Sequence, residues 1–140
     1  MSTRPLPTDL QILNAIYDLY YDEFADFKPG PGRRGSKALV PINCADIASD
    51  LGVDSDIVFG RLYYYLDRKY RFKDADDGSI VPLFELMAGD DRHVVHFPYL
   101  ASVLATMREE NKKYLIATVM AAVSLVISIT AIIVSLMKAK

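Results

Sequence analysis

Two histidines and one cysteine are the chain's entire supply of imidazole and thiol groups for metal ligation or nucleophilic attack. His93 and His96 lie three apart in a stretch that alternates like a strand, so they point to opposite faces. That is wrong for two ligands of one metal, and wrong for a Cys–His pair with Cys44. Asp74, Asp76, Asp77 and Glu85 echo a calcium loop, because Glu85 is the twelfth residue counted from Asp74. Gly78 comes one position too early, however, and Pro82-Leu83-Phe84 continues as a strand where an exit helix is required. The segment reads as a turn. The expectation is a non-enzymatic protein with no catalytic residues, no metal and no cofactor.

Groups suited to binding are more numerous. Lys28, Arg33, Arg34 and Lys37 stand in KPGPGRRGSK with no acid among them, a concentration of charge that suits anionic lipid or nucleic acid. Tyr63, Tyr64 and Tyr65 are consecutive, so one helix cannot bury all three, and an exposed tyrosine favours protein contact. The formal charge of −2 hides an asymmetry: residues 1–111 carry 12 basic against 18 acidic side chains, a formal charge of −6. A domain of that sign is poorly suited to a phosphate backbone. Cys44, being alone, has no intramolecular disulfide partner, which fits a reducing compartment.

Several elements must position these groups. Thr8 and Gln11 have capping-box spacing, and Leu13, Ile16, Tyr17, Tyr20, Phe24 and Phe27 repeat at helical intervals, predicting a helix over 7–27. Residues 28–37 hold three Gly and two Pro and form a loop, with a short strand over 38–42 after it. Asn43 caps a short helix over 44–51, Gly52 ends it, and a second helix runs from Asp54 or Ser55 to about Tyr70. Ile80 to Met87 and Arg92 to Phe97 alternate as two strands around a hairpin loop at 88–91.

NCADIASDLGVDSDIVFGRLYYYL resembles a helix-turn-helix, with Ala48 at the close approach of the helices and Gly52 in the turn. Helix, strand, helix, helix and a two-stranded wing is the order of winged-helix domains. The fold class expected from this resemblance is α+β: a winged-helix-like domain with a small antiparallel sheet, followed by one transmembrane helix. The resemblance implies either DNA binding through the second helix of the motif or a protein-interaction role. A regular helix with Leu62 inward turns Asp56, Gly60, Tyr64, Asp67 and Arg71 outward, with Arg61 and Arg68 alongside. The charges on that face nearly cancel. The candidate interaction surface is therefore Arg61, Tyr64, Arg68 and Arg71, with Arg33 and Arg34 from the basic loop. The alternative reading is a membrane-tethered DNA-binding regulator, which the charge disfavours.

Pro98 begins a further helix with Leu100, Val103, Leu104 and Met107 as its stripe, and no Gly or Pro separates it from Tyr114 to Met137. Those twenty-four residues contain no Asp, Glu, Lys, Arg, Asn, Gln, Gly or Pro. At roughly 1.5 Å per residue they form a helix about 36 Å long, enough to cross a hydrocarbon core of about 30 Å. The expected organisation is a domain at 1–111 and an anchor at 112–140 with its span at about 114–137.

The first residues lack the apolar run of a signal peptide, and Arg108, Lys112 and Lys113 precede the span. The pattern resembles a tail-anchored, single-pass protein with its domain in the cytosol. The expected partners are the bilayer and a protein not identified by the sequence. Ala117, Ala121, Ser124, Ser128, Ala131 and Ser135, spaced by four and three alternately, form a small-residue seam along one face, suited to homo-oligomerisation through the span.

Overall fold

The computed structural model describes residues 5–32 and 34–139. Helix α1, Asp9–Ala25, starts where the capping box places it. Thr8 Oγ1 accepts from the Gln11 N–H, and the Gln11 side chain returns a bond to the Thr8 backbone. Its inner face buries Ile12, Leu13, Ala15 and Ile16. The far end is closed from a distance. Arg34, in the loop expected to carry unopposed cations, donates to the Glu23 carbonyl at 3.0 Å and pairs with the Glu23 carboxylate at 3.0 Å. It also lies over the Phe27 ring, and its side chain is only 11 % exposed. A cation bonded to a last-turn carbonyl is favoured by the helix dipole.

Strand β1, Leu39–Pro41, leads to helix α2, Cys44–Leu51. The Asn43 side chain caps α2 by accepting from the Ala45 N–H, and Gly52, at φ 66°, closes it in the left-handed conformation that glycine adopts without a Cβ clash. Ala48 is buried, as a close helix approach requires, and its carbonyl accepts from the Val53 N–H.

The next helix is not regular, contrary to the expectation of one uniform helix. It comprises α3, Ser55–Gly60, a π-helical turn, Arg61–Leu66, and α4, Asp67–Tyr70. The Asp67 N–H bonds the Leu62 carbonyl five residues back instead of four. The wider turn rotates all that follows relative to a uniform helix. Leu66 and Asp67 both face inward, and Asp67, expected on the outer face, is 1 % exposed.

The strand expected at Ile80 to Met87 is broken at Pro82, which has no N–H to give a ladder. Strand β2, Phe72–Lys73, pairs with β3, Ile80–Val81, as a separate two-stranded sheet. The second sheet has the order β1-β5-β4, all antiparallel, with β4 spanning Phe84–Ala88 and β5 spanning Asp91–His96. Gly89 at φ 63° starts the tight two-residue hairpin. Leu83, Phe84, Val94 and Val95 join the helical core residues Ile47, Val58, Leu62 and Leu66. The protein is thus mixed helix and small antiparallel sheet.

Helix α5, Phe97–Lys138, is the last element. The chain divides into two compact units, Met1–Ala105 and Thr106–Lys140. In the first, Phe97, Leu100 and Leu104 of α5 are buried. In the second, the helix is long and apolar enough to cross a membrane, and none of its apolar window is buried. Four of its hydroxyls are satisfied within the helix. Thr118, Ser124, Ser128 and Thr130 each donate to the carbonyl four residues back, at 2.8–2.9 Å. Such hydroxyls bring no unpaired polar group into an apolar medium.

Candidate interaction surface

The outer face of the α3–π–α4 helix is the place to look for function, because it combines exposed aromatic area with charge. Tyr64 is 61 % exposed, Tyr65 and Arg68 are exposed, and Tyr63 is partly covered. Phe59 stacks on Tyr63, and Phe84 stacks on His93, so the tyrosines rise from a packed aromatic base.

Most of the cations expected on this surface are engaged inside the domain. Arg61 pairs with Asp9 of α1 and lies 4.5 Å over the Tyr65 ring. Lys69 reaches the other oxygen of Asp9 at 3.1 Å. Hydrogen bonding to Tyr70 and then to Asp9 holds the Lys69 ammonium above its ordinary range. Arg71 pairs with Asp67. Arg34 pairs with Glu23, as described, and Arg33 lies outside the described residues. Arg68 makes no ion pair among the described residues. Of the five candidate surface residues that are described, Tyr64 and Arg68 are exposed and outside any ion pair, with the Tyr64 ring set edge-on against Tyr63 and Phe59.

Asp67 has a structural task that helical spacing alone did not reveal. Its Oδ1 accepts from the Leu83 N–H at 2.9 Å and the Phe84 N–H at 3.2 Å, while its Oδ2 holds Arg71. The carboxylate thus ties the helix to the entry of β4. The nearest sequence signal is the Asp67–Arg71 spacing of four, which marks a helical ion pair but not its burial.

The histidines do not converge. His96 Nδ1 accepts from the Tyr99 N–H at 3.3 Å, whereas His93 sits at φ 54° with its Nδ1 buried and unpartnered. An open cavity of about 390 Å³ beside His93 is lined also by Asn43, Cys44, Ser55, Asp56 and Phe59. Burial raises the Cys44 thiol above its ordinary range, which keeps it protonated and poorly nucleophilic. Asp74 and Asp77 serve their own turn. Asp74 Oδ1 accepts from the Asp76 N–H at 2.8 Å and Asp77 Oδ1 from the Ser79 N–H at 2.7 Å. The bond from Ser79 holds the Asp77 carboxyl below its ordinary range. Among the described residues no group of three or more His, Cys, Asp or Glu is placed to hold a metal.

No protein family, curated protein or solved structure matches this chain.

Proposed function

We propose that this chain is a single-pass, C-terminally anchored membrane protein whose residues 1–111 form a cytosolic winged-helix-like domain acting as a non-enzymatic protein-interaction or regulatory module. The element order helix, strand, helix, helix, hairpin and the sheet order β1-β5-β4 support the winged-helix reading. The unburied apolar window of α5 supports the anchor. The observation that carries the interaction role is the outer helix face, where Tyr64 and Arg68 are exposed while Arg61, Arg71 and Arg34 are taken up by Asp9, Asp67 and Glu23. Tyrosine and arginine are the residues enriched at protein interfaces. A DNA-reading helix needs several free cations beside it, and here Arg61, Lys69 and Arg71 of that helix are paired within the domain.

The test is an anisotropy titration of the chain against duplex DNA at physiological salt, beside a pull-down from lysate with and without nuclease. DNA binding is expected to be weaker than about 1 μM, in the range of non-specific association. Capture of a protein is expected to survive nuclease. Sub-micromolar binding with a steep salt slope would instead make this a DNA-binding regulator.

For the span, we infer self-association through Ala117, Ala121, Ser124, Ser128, Ala131 and Ser135. Ser124 and Ser128 already bond within their own helix, so close packing must supply most of the contact energy and each cross-helix hydroxyl only about 0.6 kcal/mol. In a transmembrane-association reporter carrying the span alone, replacing both Ala121 and Ser128 by Leu abolishes the signal. Val119→Leu with Ile133→Leu, away from the seam, leaves it intact. Equal signals from all three would reduce the span to an anchor.

A further inference from the structure

Asp56, Gly60, Tyr64 and Arg68 are spaced by four. In a uniform α-helix four residues overshoot one turn by about 40°, so three such steps would wind the row about 120° around the axis. The π turn at Arg61–Leu66 absorbs this drift, since its hydrogen bonds close five residues back. The inward residues agree with this: Val58, Leu62 and Leu66, also spaced by four, are all fully buried, and Asp67 is turned in beside them. The opposite row is correspondingly straight. Asp56, Tyr64 and Arg68 are all exposed, and Gly60 lies between them with the Tyr64 ring at its surface. Neither the Asp56 carboxylate nor the Arg68 guanidinium makes an ion pair among the described residues.

Such a row is complementary to itself. It has an acid at one end, a base at the other, and a residue without a side chain beside a large planar one at the middle. Rotation by a two-fold axis between positions 60 and 64 brings Asp56 against Arg68 of a second copy, twice, and sets the two Tyr64 rings, each lying against its own Gly60, beside one another at the axis. Isologous contacts have this reciprocity, in which residue i meets j and j meets i. A parallel arrangement would bring like charges together. An unrelated partner gives no reason for opposite charges at equal distances from the centre.

We propose that this helix face is a homodimer contact, antiparallel and two-fold symmetric, with Asp56 and Arg68 as its reciprocal ion pairs and the two exposed Tyr64 rings packed together at the axis. The proposal rests on the reading of the chain as an anchored interaction module and names a second copy as the partner. The contact runs over about 18 Å of helix, too short for a strong interface in free solution. Anchoring in a bilayer raises the effective concentration and favours such a weak contact.

The full-length chain, labelled at its N-terminus with donor or acceptor dye, is reconstituted in vesicles over a range of protein-to-lipid ratios. Energy transfer reports dimers, and flotation reports membrane attachment. Asp56→Arg alone and Arg68→Asp alone each set two like-charge contacts across the axis and should weaken dimerisation by about tenfold. The double variant D56R/R68D restores the pairs in reverse and should return transfer close to the parent level. A role for either residue in folding alone cannot give that rescue, and the milder D56N and R68Q variants should fall between. Single variants equal to the parent, or a double variant as weak as the singles, would overturn the dimer. A chain that floats with vesicles but shows no concentration-dependent transfer would also overturn it and leave the anchored module standing. A chain that does not float would overturn both.

Discussion

Replacing Asp67 by alanine lowers the unfolding free energy of the domain by about 3–5 kcal/mol, the range for removing one partner of a buried, hydrogen-bonded charge pair. The reason is local. Leu83 and Phe84 are almost fully buried, and their N–H groups have the Asp67 Oδ1 as acceptor. Without it each is orphaned, at about 1–3 kcal/mol apiece, and water cannot reach them. Arg71 adds less, because that side chain is 46 % exposed and its charge is screened.

Asp67→Asn separates the two contributions. An asparagine keeps one acceptor oxygen for both N–H groups and presents an amide to Arg71, so the loss should be about 1 kcal/mol. Chemical unfolding of the full chain in detergent, followed by tyrosine fluorescence, would read both. Equal losses in the two variants would mean that the charge, not the pair of backbone bonds, holds the helix to the sheet.

Placing arginine at both Val126 and Ile129 should release the chain from the bilayer. Each charge near the centre of a span costs roughly 2.5–3.5 kcal/mol on insertion scales, so the pair costs about 5–7 kcal/mol. Ten of the span's twelve Leu, Ile and Val residues remain, contributing roughly −0.3 to −0.6 kcal/mol each, a sum of similar or smaller size and opposite sign. Insertion should therefore change from favoured to unfavoured or balanced, read as loss of the chain from the floated fraction of a lipid gradient. Val126→Leu with Ile129→Leu is the control and should float with the parent. A double-arginine chain that still floats would show that something other than the apolar helix holds the protein to lipid.

Where a signal was local, the sequence carried it. Thr8 and Gln11 specify the start of α1, Asn43 and Gly52 bracket α2, and the apolar run from Tyr114 declares itself by composition. The features that escaped depend on residues distant in the chain. Leu62 and Leu66 are four apart, so a uniform helix accounts for both. Only the N–H groups of Leu83 and Phe84, 16 and 17 residues past Asp67, show why the helix turns that carboxylate inward. The π turn also takes Asp67 out of the exposed row and puts Arg68 in its place. Arg34 escaped similarly, since its partner Glu23 lies 11 residues back across a loop of glycines and prolines. Pro82 was a local signal that the expected strand over Ile80 to Met87 ran through: a residue without an N–H, it marks the break between β3 and β4.

The buried thiol of Cys44 gives the molecule an internal clock. It is the only sulfhydryl in the chain, it sits in the first turn of α2, and burial keeps it protonated. A thiol reagent in solution therefore meets a mostly covered, protonated group, and reacts faster when α2 moves or the domain opens. The rate of alkylation then follows how often that happens, with a single site and no competing signal. The chain thus carries its own reporter of opening events, readable by mass within a lipid-bound sample where optical methods suffer from scattering.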